Sequence, residues 1–566
     1  MGPGKPWILP TFGSTSPKPM NRLFLFLALL LLAPWASAGK LLLVGGGTEQ
    51  DSPQAWNAEP YRWAVRNAAN RRVAVISHGP SSNWIPDYFV RHCGAAYARV
   101  FALTSRDTAD RQDVMDSLLS YDMVFLKGGD QQLYFRYFRG TKTQQALERI
   151  FERGGVIAGT SAGMAILSEV VYTAANMSAA SADCLRDPRH PDITLSGDFL
   201  PFFPGYVFDT HFVERGRLPR LLAFMGYWRE ASGQSARGLA VDDRTALAID
   251  EQGLGTVFGT GAVSIFELRS PSGLGLGGHL ALDSVGVVQL VQGCSYDFLR
   301  HEARGLEAMD LARWPASPEA DWLLAGPSEQ ARALAAQALA SRLGRRRDPV
   351  LLLAAQEQDA ERMRSAGARF LRPRPAERAG HDDWVWADKI FLGPLGLEAL
   401  RAMPLPSLAE SKSVALVGES AFWAGQAHVA GLDEPDAASR GLARVEEGLA
   451  LLPGLAVCPL WLEDPERAQN GAASLPFAVA SQGLRGGIWL SERAVLRCQT
   501  RDGRTQLTNF GQTAALALWC YPDCRAGLAE QTDFGYPGEK PRALAGLSHY
   551  GLAVIPPGGT WLCPAW

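Results

Sequence analysis

Four short apolar runs set the pattern of residues 40–163, and each ends on glycine or a small polar residue: KLLLVGGG (40–47), RRVAVISHG (71–79), YDMVFLKGG (121–129) and GGVIAGTSAG (154–163). Longer amphipathic stretches separate them. Leucine-rich and β-branched runs alternating with helical patterns are the mark of βαβ units. The chain is therefore expected to be an α/β protein, a parallel sheet with helices on both faces. In open sheets of this kind, ligands gather beyond the carboxyl ends of the strands. The ends GGGTEQ (45–50), GGDQ (128–131) and GTSAG (159–163) are thus expected to meet in one crevice, although plain turn chemistry would also account for the glycines.

The second half repeats this outline in order. LLLAAQ (351–356) echoes LLLVGG, ADKIFLGPLGLEAL (387–400) echoes YDMVFLKGGDQQLY, and SVALVGESAFWAG (413–425) echoes GVIAGTSAGMAI. GGIWLSERAVLRC (486–498) echoes GLAVDDRTALAID (238–250), and TNFGQTAALAL (508–518) echoes TVFGTGAVSIF (256–266). Five matches in register point to a tandem duplication. With 566 residues, two or more domains are expected. The division read from the sequence is a first unit over 39–303, an alanine-, leucine- and arginine-rich helical linker over 304–348, and a second copy over 349–566.

Residues 1–38 read as a secretory signal peptide. Arg22 precedes the apolar run LFLFLALLLLA, which leads to the small-residue site Ala36-Ser37-Ala38, with Met20 as an alternative start. Export to the periplasm or the medium is the expectation, with no membrane span after cleavage. Of the eight cysteines, Cys498, Cys520, Cys524 and Cys563 crowd the C-terminal end and are the ones expected to pair. A net charge of −3 without a basic cluster gives no nucleic-acid partner. A homodimer is left open.

Ser161 stands in Gly159-Thr160-Ser161-Ala162-Gly163, between a strand-like run and a helix-like one. That is the shape of a nucleophile elbow, or of a tight turn alone. A serine nucleophile needs a base. Among the histidines, His211 sits in the stretch that looks built for a site, GYVFDTHFVERGRLPRLL (205–222). Arg217 and Arg220, three residues apart, would share a helix face, and paired guanidiniums suit a carboxylate-bearing substrate. A solvated basic helix beside a core histidine is the plainer alternative. The histidines and cysteines lack metal-ligand spacing, so neither metal nor cofactor is expected.

Taken together, GGDQ (128–131), GTSAGMA (159–165), DTHFVERGRLPRL (209–221) and GLAVDDRTAL (238–247) resemble, in order and spacing, the cyanophycinase-like serine peptidases, a family that includes dipeptidase E. The resemblance spans roughly residues 40–300 and implies a class I glutamine amidotransferase-like fold. It implies Ser161 as nucleophile and His211 as base, with amides near Gly129 and Ala162 as the oxyanion hole. It also implies Gln131, Asp209, Arg217, Arg220 and Thr245 along the substrate pocket. The activity it implies is that of a serine exopeptidase acting on cyanophycin or related β-aspartyl and acidic peptides through an acyl-enzyme. Peptidases of other (iso)aspartyl dipeptides and a binding-only pseudo-peptidase are the alternatives. The family's third triad member is acidic and follows the serine by a dozen or two residues; Asp183 is the good candidate in that interval. Thr210 stands where the family usually has glutamine. The second copy reads as degenerate and non-catalytic. Ser420 is retained, Phe422 and Trp423 replace Gly163 and Met164, Pro394-Leu395 replaces Asp-Gln, and 455–467 has no histidine.

Overall fold

The computed structural model describes residues 39–564 apart from 270–273, 312–318, 435–436, 439–440, 465–466 and 529–543; the expected signal peptide lies outside the described residues. The four apolar runs become strands β1 (Lys40–Val44), β2 (Arg72–Ser77), β4 (Met123–Leu126) and β5 (Val156–Thr160), joined by β3 (Tyr97–Ala102). They pair in the order β3-β2-β4-β5-β1, all parallel. Continuous apolar runs suit strands covered on both faces. On one face Tyr61, Tyr88 and Phe89 pack on Val73, Val75 and Phe125; on the other Tyr134, Phe138, Leu147 and Ile150 pack on Ile76, Leu126 and Ile157.

Beyond β1 the sheet turns antiparallel. Strand Thr245–Ile249 pairs with β1, then Leu254–Gly259, Ser295–Asp297 and Glu302–Arg304 follow. The connection 250–253 is a tight turn, too short for the crossover that a parallel pair requires. The sheet is thus mixed rather than parallel throughout.

A second sheet repeats the first. Its order is Leu371–Arg374, Val350–Leu353, Lys389–Leu392, Ser413–Val417, Ala320–Ala325, Val495–Arg501, Arg504–Asn509 and Thr560–Leu562. Here the expected boundaries fail. Ala320–Ala325, inside the segment expected to be a linker, takes the place of β1, parallel to Ser413–Val417 and antiparallel to Val495–Arg501. A helix, Glu329–Ser341, follows, capped by the Ser328 hydroxyl accepting from the Ala331 amide. Pro327 sits between strand and helix, where it punctuates a βα unit instead of a linker. The repeated strand order of the second half therefore begins near residue 320, and LLLAAQ takes the position of β2, not of β1.

A third sheet joins the copies. After the short edge strand Leu195–Ser196 it runs Ser168–Tyr172, Phe203–Thr210, Arg237–Val241, Val263–Leu268 and Leu282–Leu290. It continues in mirrored order through Ala545–Ile555, Ala515–Leu528, Gly486–Ser491, Leu452–Leu460 and Gly425–Ala430. The seam is antiparallel, with Val287 opposite Tyr550. The two halves of the chain thus share one sheet, with strand order mirrored across the seam. Cys498, Cys520, Cys524 and Cys563, expected to pair, are free thiols, as are the other four cysteines.

Candidate active site

Strand β5 ends at Thr160, and Ser161 turns into the left-handed half of backbone space, φ 52° and ψ −120°, before the short helix Ala162–Ala165. A non-glycine residue held there is strained and is a feature of nucleophile elbows. The flanking glycines are required by close approach. A Cβ on Gly159 would lie 2.3 Å from the Gly163 carbonyl oxygen, and one on Gly163 would lie 2.3 Å from that of Leu126.

His211 follows strand Phe203–Thr210, also at positive φ, and its Nε2 lies 2.7 Å from Ser161 Oγ. Its Nδ1 is in a short hydrogen bond with Asp243 Oδ1. Asp243 belongs to the turn between Arg237–Val241 and Thr245–Ile249, and its amide donates to Glu214 Oε2 at 3.0 Å. Serine, imidazole and carboxylate therefore form one line. In such a line the carboxylate fixes the proton on Nδ1 and leaves Nε2 free to take the serine proton.

The acid expected from the sequence is not part of it. Asp183 lies on helix Ser181–Arg186 and pairs with Arg186, three residues on, at the surface. The carboxylate that reaches the imidazole comes after both the serine and the histidine in the chain, not between them. A signal was present in the Asp-Asp pair of GLAVDDRTAL. Asp242 turns inward, accepting from the amides of Val213 and Ala262, and Asp243 meets the histidine.

The loop Gly45-Gly46-Gly47 ties these parts together. The Gly45 carbonyl accepts from the His211 amide, the Gly46 carbonyl from the Arg244 amide, and the Val44 carbonyl from the Ser161 amide. A Cβ on Gly46 would lie 2.2 Å from the His211 ring, and one on Gly45 would lie 2.1 Å from the Asp242 carbonyl oxygen. Turn chemistry alone does not explain this triplet. It lets three strand ends touch.

The residues expected along the pocket divide. Asp209, Arg217 and Arg220 form a buried ion cluster, exposed by only 2%, 9% and 4%. Arg220 grips Asp209 with two bonds of 2.8 and 2.5 Å, and Arg217 reaches the same carboxylate at 3.3 Å and the Thr210 carbonyl at 2.7 Å. Burial alone would raise the Asp209 carboxyl, but the two guanidiniums outweigh it and hold it below the usual range. The arginines are thus taken up by an internal partner, contrary to their expected place at a substrate carboxylate. Thr245 is fully buried, its hydroxyl donating to the Asp243 carbonyl. Gln131 donates to the Tyr172 carbonyl at 2.7 Å.

The cavity at the serine holds about 300 Å³ and is lined by Ser161, His211, Glu49, Lys127, Trp84 and Phe125. Gly128 closes on the serine, where a Cβ would stand 3.3 Å from that of Ser161. Lys127 Nζ donates to Ser81 Oγ at 2.7 Å, and Glu49 accepts from the Tyr61 hydroxyl at 3.1 Å. Burial pushes the Glu49 carboxyl up, against the opposing pull of Tyr61 and Lys127. Nothing in the sequence pattern marks Glu49 or Lys127 for a role.

In the second copy the residue at the elbow is Gly418, φ 62° and ψ −129°, directly after strand Ser413–Val417. Ser420 is therefore not the counterpart of Ser161. Its buried hydroxyl donates to the Gly393 carbonyl at 2.7 Å and accepts from the Leu395 amide at 2.8 Å. The strand registers put Leu460 where His211 stands and Glu492 where Asp243 stands. Pro394-Leu395 takes the place of Gly128-Gly129 rather than of Asp-Gln.

Residues 41–257 match the model of peptidase family S51. That match falls within the first half of the chain. The matched span holds Ser161, His211 and Asp243, and the second copy lies outside it. Cyanophycinases of Synechococcus elongatus and Thermosynechococcus vestitus are each 26% identical to this chain over 207 residues, 35% of this chain and 60% of theirs. The match thus spans less than two thirds of those relatives. Among solved structures, a peptidase from an acI-B1 Actinobacterium superposes with a TM-score of 0.33 at 18% identity, covering 47% of this chain and 98% of its own.

Proposed function

We propose that the first half of the chain is a serine peptidase working through an acyl-enzyme, and that the observation carrying this reading is the line Ser161–His211–Asp243. Ser161 Oγ attacks the scissile carbonyl while His211 Nε2 takes its proton. Asp243 keeps the imidazole in the required tautomer and balances the imidazolium. The amides of Gly129 and Ala162 receive the oxyanion, the role in which preorganised donors contribute most. His211 then passes the proton to the leaving amine, and water releases the acyl group by the reverse steps.

The substrate we propose is cyanophycin or a related β-aspartyl or acidic peptide, attacked from a chain end. The names of the relatives support the first choice, and Lys127 in the serine cavity supports an acidic group near the scissile bond. The enzyme acts after export, once residues 1–38 have been removed. No described helix is long and apolar enough to cross a membrane. The test is incubation of the protein and its Ser161→Ala variant with cyanophycin and acidic dipeptides, followed by mass spectrometry. Release of β-aspartyl-arginine by wild type alone supports the full reading. Release of nothing by either protein sinks the cyanophycin assignment.

A further inference from the structure

Gly128 and Gly129, which close on Ser161, have no side chains to lock them. They precede Asp130, and Gly129 sits at φ 141°. The support comes from His78, in the loop after β2. Its Nε2 accepts from the Asp130 amide at 2.9 Å, and a Cβ on Gly129 would lie 2.2 Å from that nitrogen. The ring also meets Tyr134 edge-on, with centroids 4.8 Å apart, and the Tyr134 hydroxyl donates to the Lys127 carbonyl directly before these glycines. His78 therefore fills the space that the glycine leaves empty and holds the next amide along.

An imidazole that accepts at Nε2 carries its proton on Nδ1. Here Nδ1 is buried and donates to no other described residue. We infer that His78 is a positioning residue for the proposed hydrolysis, its neutral ring clamping the Gly129–Asp130 peptide so that the Gly129 amide is ready for an oxyanion. Protonation would turn Nε2 into a donor facing another donor and release the clamp. Burial holds His78 below the ordinary histidine range, Asp130 opposing, which favours the neutral ring. The charged or titratable groups facing it are Asp130 and the Tyr134 phenol.

This inference rests on the serine-peptidase reading, so the test has a readout with turnover and one without. His78→Phe keeps a ring against Tyr134 but offers no acceptor; His78→Gln offers a carbonyl that does not titrate. The rate of Ser161 labelling by a fluorophosphonate, whose oxygen occupies the oxyanion site, is expected to fall about 10- to 1000-fold in His78→Phe, the range for losing an oxyanion donor. It should recover most of that loss in His78→Gln, and the acid limb of labelling should shift in the same variant. In parallel, hydrogen–deuterium exchange at the Gly129–Asp130 amides should quicken in His78→Phe and not in His78→Gln. Unchanged exchange in both variants overturns the clamp, whether or not the protein hydrolyses anything. Faster exchange with labelling unaltered overturns its link to the oxyanion site. A wild type that takes no label while exchange behaves as expected refutes the peptidase reading and leaves the clamp.

Discussion

Replacing Asp209 by asparagine separates a structural role for Arg217 and Arg220 from a substrate-binding one. Among the described residues Asp209 is the carboxylate bonded by both guanidiniums, through two contacts from Arg220 and one from Arg217, and it also accepts from the Thr210 amide. Asparagine keeps an acceptor but removes the charge, which leaves two cations in a site where the arginines are 9% and 4% exposed. Removing one partner of a buried ion pair costs about 3–5 kcal/mol. Arg220 retains contacts with the Ala179 carbonyl and the Tyr172 ring, and Arg217 retains the Thr210 carbonyl, so the lower half of that range is the better expectation. At the roughly 2–4 °C per kcal/mol typical of domains of about 150–250 residues, that loss corresponds to roughly 6–16 °C in melting temperature. Differential scanning fluorimetry on wild type, Asp209→Asn and the apolar triple replacement Asp209→Leu, Arg217→Met, Arg220→Met is the assay. The triple variant should recover much of the loss, because a well-packed apolar substitute for a buried ion cluster is often neutral. An unchanged melting temperature in Asp209→Asn, with only KM raised, would refute this argument and return the arginines to the substrate.

Asp243→Asn should lower turnover by about 10⁴-fold, the cost of presenting the wrong histidine tautomer, as steady-state kinetics would show. Asp183→Asn should leave turnover unaltered, since it removes only a surface pair with Arg186. Gly129→Ala places a Cβ 2.2 Å from His78 Nε2 at a positive φ, so labelling of Ser161 should be lost while the melting temperature falls only modestly. The Asp209 carboxyl is held below its unfolded value of about 3.9, so its contribution to stability is whole above that pH and vanishes as pH falls through the lower folded value. Acid unfolding followed by circular dichroism should thus begin below about pH 4 in wild type, and Asp209→Asn should lack that component.

Local pattern carried much of the fold. The parallel strands β1, β2, β4 and β5 coincide with apolar runs because each is covered on both faces, and such strands need no alternation to be seen. Strand Ala320–Ala325 was hidden for the opposite reason. ADWLLA begins with polar and aromatic residues and runs into an alanine-rich helix, so its neighbours read as helical. Ser161 and His211 were visible because elbow and strand-end geometry leave small residues and a lone histidine in view. Asp243 was not, because the carboxylate that reaches an imidazole is set by which turn the third strand layer brings there, a tertiary fact. Arg217 and Arg220 show the limit of charge reading. A helix face with two arginines looks like a receptor until the carboxylate on the neighbouring strand, Asp209, is seen to fill it. The apparent match of Ser420 to Ser161 failed by two residues. Only strand register shows that Gly418 holds the elbow.

The measurement that bears most directly on the central claim is peptide mapping after treatment of the whole protein with a fluorophosphonate. The predicted result is one label per chain, on Ser161, with Ser420 unlabelled and the label absent from the His211→Ala variant. A label that survives His211→Ala, or that falls on another serine, would contradict the Ser161–His211–Asp243 account.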